Sequence, residues 1–149
     1  MASAQDLALE RLQLAATDRR ADNVRYRQDQ LQALHKALRE AAASIVSALL
    51  TDTKSSSAEA ETQYYLALEA VRHAYESLHF DEELAKEYSV VHGRNNEERR
   101  LGVGIVIIRP TSHTRFYSII TPLAAAVAAG NCVILEVGTQ MRFDSCFSH

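Results

Sequence analysis

The chain has only two cysteines, Cys132 and Cys146, with no CxxC spacing and no metal-ligand pattern beside either. A disulfide-stapled secreted scaffold and a zinc module are therefore poor readings, and a reduced intracellular protein is the simpler one. An excess of one charge is lacking too: 16 Lys and Arg stand against 19 Asp and Glu, a formal net charge of −3. No broad attraction to nucleic acid follows from that balance, and there is no acidic tail. The start, Met1-Ala2-Ser3-Ala4-Gln5-Asp6, lacks the basic residues and apolar stretch of a secretory signal. A cytoplasmic location is expected. No internal repeat is present.

One segment approaches a membrane span. Phe116 to Leu135 is 20 residues without a formal charge, long enough to cross a bilayer. Pro122 and the pair Gly130-Asn131 divide it, and its last part is β-branched. Helix, turn and buried strand is the better reading.

What remains is ordinary in the useful sense. At 149 residues, 47% hydrophobic and 23% charged, the chain suits one soluble globular domain. A chain of this size buries roughly 68–70% of its unfolded surface, so an independent core is possible.

Three helices are expected first. A short amphipathic one covers about Asp6 to Ala16, with Leu7, Leu9, Leu12 and Leu14 as its apolar residues. After the charged break Asp18 to Asp22, a long helix runs from about Asn23 to Leu50. Its Leu31, Leu34, Leu38, Ala41, Ile45 and Leu49 recur at three and four residues and so share a face. Thr51 to Ser57 is a polar turn, and Ser56-Ser57-Ala58-Glu59 reads as a capping box that starts the third helix. That helix continues to about Leu78, with Tyr64, Leu68, Val71, Tyr75 and Leu78 as its stripe. The two long helices are expected to pair antiparallel, each covering the other's stripe. Tyr64, Tyr65 and Tyr75 are expected to pack this pair, with a pocket lining as their alternative.

Phe80 to Arg100 is highly charged. Glu87 to His92 alternates like a half-exposed strand, and Gly93-Arg94-Asn95-Asn96 reads as a turn. The character then changes. Val103 to Ile108 is a continuous apolar run, as in a strand covered on both faces. A helix follows from about Arg115 to Ala129, with Phe116, Ile119, Leu123 and Val127 inward and Gly130-Asn131 as its left-handed cap. Cys132-Val133-Ile134-Leu135 is a second buried strand. Strand, helix and strand in this length make a βαβ unit with parallel strands.

These residues carry a resemblance. Leu101-Gly102-Val103-Gly104-Ile105-Val106-Ile107-Ile108, then Pro110, then Thr121 to Leu135 with its Ala128-Ala129-Gly130-Asn131, look like the start of the aldehyde dehydrogenase cofactor domain. Arg27 to Leu34 and Asp52-Thr53-Lys54-Ser55 resemble the short-N-terminus subgroup acting on fatty and aromatic aldehydes. The similarity spans about Leu7 to Leu135. The implied class is α/β and mainly helical: N-terminal antiparallel helices plus one Rossmann-like βαβ unit, incomplete. Its implied divisions are a helical segment 1–79, a charged connector 80–100, the βαβ unit 101–137 and a divergent tail 138–149.

The family's chemistry carries over poorly. Its tryptophan-asparagine-aromatic-proline segment aligns with Thr111-Ser112-His113-Thr114, so Ser112 stands where an asparagine donates to the oxyanion. Loss of one such donor costs about 10²–10³ in rate. Glu136 stands where a lysine holds the adenosine ribose. A carboxylate can accept from ribose hydroxyls but repels a 2′-phosphate. The family's nucleophilic cysteine, glutamate base and nicotinamide turn would lie past His149, and the Asp144-Ser145-Cys146-Phe147 context does not match that nucleophile. Aldehyde oxidation by this chain alone is not expected, and no cofactor is expected.

The candidate positions are few. Ser112, His113, Arg115 and Tyr117 stand at the family's active-site mouth, either a hydrogen-bonding cluster of a repurposed pocket or, more plainly, a solvated loop. Arg109 either binds an anion or is merely exposed. His73 and His79, six apart, do not share a helix face, and no metal site is expected. Cys132 is expected to behave as a small buried apolar residue.

Three functions remain open. The first is binding of an apolar small molecule in a groove between the helices and the βαβ unit, with a cofactor-independent cyclisation or isomerisation as the reaction such a cavity supports. The second is a structural or regulatory partner of a full-length dehydrogenase, and the third a gene remnant without function. Two parallel strands leave open edges and faces, so a homodimer or association with a related protein is expected.

Overall fold

A computed structural model describes residues 4–53, 56–95, 97, 101–111, 114–137 and 140–142. In chain order the elements are α1 (Ala4–Thr17), a 3-10 turn (Arg20–Asp22), α2 (Val24–Glu40), α3 (Ala42–Thr53), α4 (Ser57–Glu76), α5 (Phe80–Glu87), β1 (Ile105–Ile108), α6 (Arg115–Ala128), β2 (Cys132–Val137) and β3 (Gln140–Arg142). The mainly helical α/β class is observed, and no helix among the described residues is long and apolar enough to cross a membrane.

Local signals account for most boundaries. The Asn23 side chain accepts from the amides of Arg25 and Tyr26 at 2.9 and 3.4 Å and opens α2. Ser56 and Glu59 form the expected reciprocal capping box at the start of α4. The long helix expected from Asn23 to Leu50 is instead two. Ala41 leaves helical geometry at φ −92° and ψ 7°, its amide shared between the carbonyls of Ala37 and Arg39. The break is one residue wide, and both halves keep the stripe against α4: Leu31, Leu38 and Leu49 are buried.

The strand expected at Glu87 to His92 does not form. Phe80 to Glu87 is α5, favoured by Asp81, Glu82 and Glu83 in its first turn and by Lys86 donating to Glu83 at 3.1 Å. The segment after it is a run of turns that reaches Gly93, at φ +69°. Val90 and Val91 are 63% and 78% exposed. Alternation alone makes no strand where no sheet stands beside it.

The core has two layers on α6. Toward the helices, Ile120 and Ala124 meet Leu31, Leu38, Ala67 and Val71. Toward the sheet, Ala126 and Leu123 meet Val106, Ile108 and Val133. The opposite sheet face carries Ile105, Cys132 and Ile134 and is covered by Leu12 of α1. Of the three tyrosines expected in the helical interface, only Tyr64 is buried there, its hydroxyl donating to the Leu38 carbonyl at 3.2 Å. Tyr65 lies beside the stripe and is exposed, and Tyr75, expected within the stripe, is exposed as well, because Ala74 packs against the core in its place.

The sheet order is β1-β2-β3. β1 and β2 are parallel, as expected, in the register Ile105 to Cys132 through Ile108 to Leu135. β3, in the stretch read as a divergent tail, pairs antiparallel with β2.

The turn from α6 into β2 is the tightest point. Gly130 has φ +80°, and a Cβ there would lie 3.0 Å from the Ala21 carbonyl oxygen. A Cβ on Gly102 would collide with the Gly130 carbonyl. Asn131 is buried and ties three segments together: its Nδ2 donates to Ala126 at 3.3 Å, and its Oδ1 accepts from the Gly104 amide at 3.2 Å. From the other side the buried Arg27 donates through Nη1 to the Ala128 carbonyl at 2.7 Å and through Nη2 to that of Asp22 at 3.2 Å. Gly130→Ala should destabilise the fold by about 1–3 kcal/mol through left-handed strain and crowding. Gly102→Ala should cost at least as much. Urea unfolding measures both, and wild-type midpoints in either variant would refute this account of the turn.

Candidate functional site

Ligands of open α/β sheets bind outside the carboxyl ends of parallel strands. Here that place is framed by the segment after β1, the start of α6 and the end of β2. Side chains alternate along a strand, so Ile105, Ile107 and Arg109 share α1's face with Cys132, Ile134 and Glu136. The pairing of Ile108 with Leu135, continued by one residue, sets Arg109 opposite Glu136.

The two side chains meet. Arg109 Nε donates to Glu136 Oε2 at 2.9 Å, and Nη2 lies 2.8 Å from the same oxygen as an ion pair. Arg109 is 77% exposed at its side chain and Glu136 only 21%. The carboxylate lies against the sheet, and the arginine reaches inward over it. Arg109 is thus neither a free anion site nor a merely exposed cation. It is the partner of Glu136. The sequence carried a signal for this: Val106-Ile107-Ile108-Arg109 and Val133-Ile134-Leu135-Glu136 are two matching apolar runs, each ended by one of two opposite charges. A register fixed at equal offsets makes such ends face one another.

The remaining candidates are not brought together. Ser112 and His113 lie outside the described residues. Arg115 and Tyr117 are both exposed on the first turn of α6, and residues two apart on a helix do not face each other. Ser118 does organise the loop: its hydroxyl donates to the Arg115 carbonyl at 2.9 Å and accepts from the Thr111 amide at 3.2 Å. Thr114, before α6, has φ +50° and makes no side-chain cap. A β-branched residue in the left-handed region is backbone strain beside the strand ends.

Elsewhere the surface offers less. A concavity of about 800 Å³ on the outer side of α2 is lined by Asp29, His35, Lys36, Arg39 and Glu40 among others. All its lining residues belong to that one helix, so it is an open charged depression, apart from the strand ends. On α4, Arg72 donates to Glu69 at 2.6 Å and Glu76 at 2.7 Å. The hydrogen bond from Arg72 holds the Glu69 carboxyl below its usual range. His73 stands exposed near the same carboxylates, at 3.8 and 3.9 Å. Among the described residues no group of three or more metal-ligating side chains is assembled. The buried Arg27 has its pKa lowered by desolvation, opposed by the charges of Glu83 and Asp22. It remains a cation at any ordinary pH.

A dinucleotide would require the strand-end carboxylate for ribose and a close approach of backbone to pyrophosphate, which glycine in the first turn permits. The Glu136 oxygen Oε2 is engaged by the Arg109 guanidinium, and the sequence from Arg109 to Thr114 contains no glycine. These residues do not fit that mode of binding. Comparison with family models, with curated proteins and with solved structures finds no match to this chain.

Glu136→Lys should set two cations in cross-strand register and destabilise by roughly 0.5–1 kcal/mol. Arg109→Ala alone should change stability by less than about 1 kcal/mol, since the arginine is exposed. The exchange Arg109→Glu with Glu136→Lys should recover most of the loss in urea unfolding. No recovery would mean that the two side chains do not interact in solution.

Proposed function

We propose that this chain is a non-redox relative of aldehyde dehydrogenases that binds an apolar small molecule with a polar end at the strand ends. A cofactor-independent cyclisation or isomerisation is the reaction class such binding serves. The observation that carries this reading is the Arg109–Glu136 ion pair beside Ile107. Where the resembled family holds ribose with a lysine, this chain has a carboxylate engaged by its own arginine. Next to the pair on the same sheet face, Ile107 is 62% exposed. Apolar surface stepping into a fixed polar pair is the usual make-up of a small-molecule site.

This reading sets the site apart from the groove between the helices and the βαβ unit. The interface between the helices and α6 is filled, with Leu31, Val71 and Ala124 at 0% exposure. The filled interface supports a ligand at the carboxyl end of β1 and β2 instead. Its polar end would lie by Arg109 and Glu136 and its apolar part over Ile107. What the protein supplies to a rearrangement there is a held conformer and two oriented polar groups.

The test is thermal unfolding against a panel of medium-length fatty and aromatic aldehydes, acids and alcohols, with NAD included. Stabilisation by at least one apolar compound, abolished by Ile107→Asp and by Arg109→Ala, is expected, with no shift from NAD. NADH formation from any of the aldehydes, or NAD stabilisation without any apolar ligand, would falsify the proposal.

A further inference from the structure

The outer edge of β1 has bonding capacity that the described fold does not use. β2 lies between β1 and β3, so among the described residues β1 has a strand on one side only. In a parallel ladder, alternate residues turn their amide and carbonyl toward the same neighbour. The Gly104 carbonyl accepts from the Cys132 amide at 2.8 Å, so Val106 and Ile108 face β2 with it. The main-chain groups of Ile105 and Ile107 face away. The side chains nearby are apolar: Val103 is 86% exposed, Ile107 62% and Leu101 44%.

Edge strands of monomers are usually blunted by a lysine, a proline or a bulge. Ile105 to Ile108 contain none of these. The first charge along the strand is Arg109, and it is drawn inward to Glu136. On α1, which covers this sheet face, Leu7 and Leu14 are also exposed, and seven residues apart they lie on one side of the helix.

We propose that a second copy of this chain occupies the β1 edge, its β1 antiparallel to the first and centred on Val106. A row of outward-facing amides and carbonyls suits an extended strand as occupant. Area decides which strand. A stable interface buries about 800 Å² per partner, more than a four-residue edge provides to a bare peptide. A second copy brings its own Leu101, Val103 and Ile107 to the same strip, with its α1 on the same sheet face, and so extends the contact beyond the strand. The contact is self-complementary about a two-fold axis. Centring on Val106 pairs Ile105 of each copy with Ile107 of the other and overlaps all of β1. No charge within the strand opposes its copy. The pairing also brings Val103 of the second copy toward Arg109, as an apolar wall beside the strand-end site, and it does not depend on any ligand there.

The experiment is sedimentation equilibrium on the wild-type chain and on Val103→Lys and Ile107→Pro, both exposed positions, with circular dichroism to check folding. A dimer is expected, with each substitution weakening it by roughly tenfold or more, as for a central contact. In a Cys146→Ser background, Val106→Cys should give a disulfide-linked dimer on mild oxidation, since facing residues of a non-hydrogen-bonded pair lie about 4.5 Å apart at Cα. A wild-type monomer at about 100 µM, far above the range of a specific interface, overturns the proposal. So does a dimer indifferent to Val103→Lys, or a chain that pairs only with a full-length dehydrogenase. If Ile107→Pro fails to fold, Val103→Lys and the crosslink still decide.

Discussion

The fold depends on the turn that carries α6 into β2. Four segments distant in sequence converge there: the 3-10 turn through Ala21, α2 through Arg27, the approach to β1 through Gly102 and Gly104, and the turn itself. The last carbonyls of a helix have no partner within it. At α6 the buried Arg27 supplies one, at Ala128, and places a positive charge at the negative end of the helix dipole. Asn131 continues the stitching by holding the end of α6 and the start of β1 with one side chain. Removing the glycine conformation or either polar side chain would weaken this junction, while the packing of α2 and α4 on α6 would still hold the helical layer to the βαβ unit.

How much of this was legible follows from what each signal measures. Periodicity located the helices and the paired strands, because the residues that make the stripes, Leu31, Leu38, Val71 and Ile134 among them, are those that the core buries. Ser56 and Glu59 announced their helix start because capping is local chemistry. The one-residue break at Ala41 left no mark, since alanine is the best helix former and only packing bends the chain there. The supposed strand at Glu87 to His92 failed for the converse reason: the alternation was present and the neighbouring strand was not. β3 was not visible because two or three paired residues carry no pattern of their own. Tyr65 shows the limit of residue type as a guide, and Tyr75 that of spacing, since its neighbour Ala74 is the residue that packs against the core.

The same turn changes what the resemblance to aldehyde dehydrogenases can say. Its most specific stretch, Ala128-Ala129-Gly130-Asn131, is accounted for by geometry: a carbonyl capped by Arg27, a left-handed residue in a crowded place, and a buried amide with both ends bonded. Those requirements concern how a helix joins a strand and are indifferent to chemistry. Residues that would speak to chemistry lie after the strands, and there Arg109 and Glu136 satisfy one another. The residues that join helix to strand are thus distinct from those at the strand ends, and a likeness in the first says nothing of the second.

Those two side chains also link the site to the edge. An exposed arginine next to an edge strand would ordinarily discourage another strand from docking. Turned across the sheet face to Glu136, Arg109 no longer projects past the edge, and the main-chain groups of Ile105 and Ile107 are left without a charged guard. One cross-strand pair therefore has two structural consequences: it occupies the carboxylate at the end of β2, and it leaves β1 accessible to another strand. An exposed ion pair is worth at most about 1 kcal/mol, so neither consequence rests on strength. Both follow from position, because a register that aligns Ile108 with Leu135 gives the next two side chains nowhere closer to go than each other.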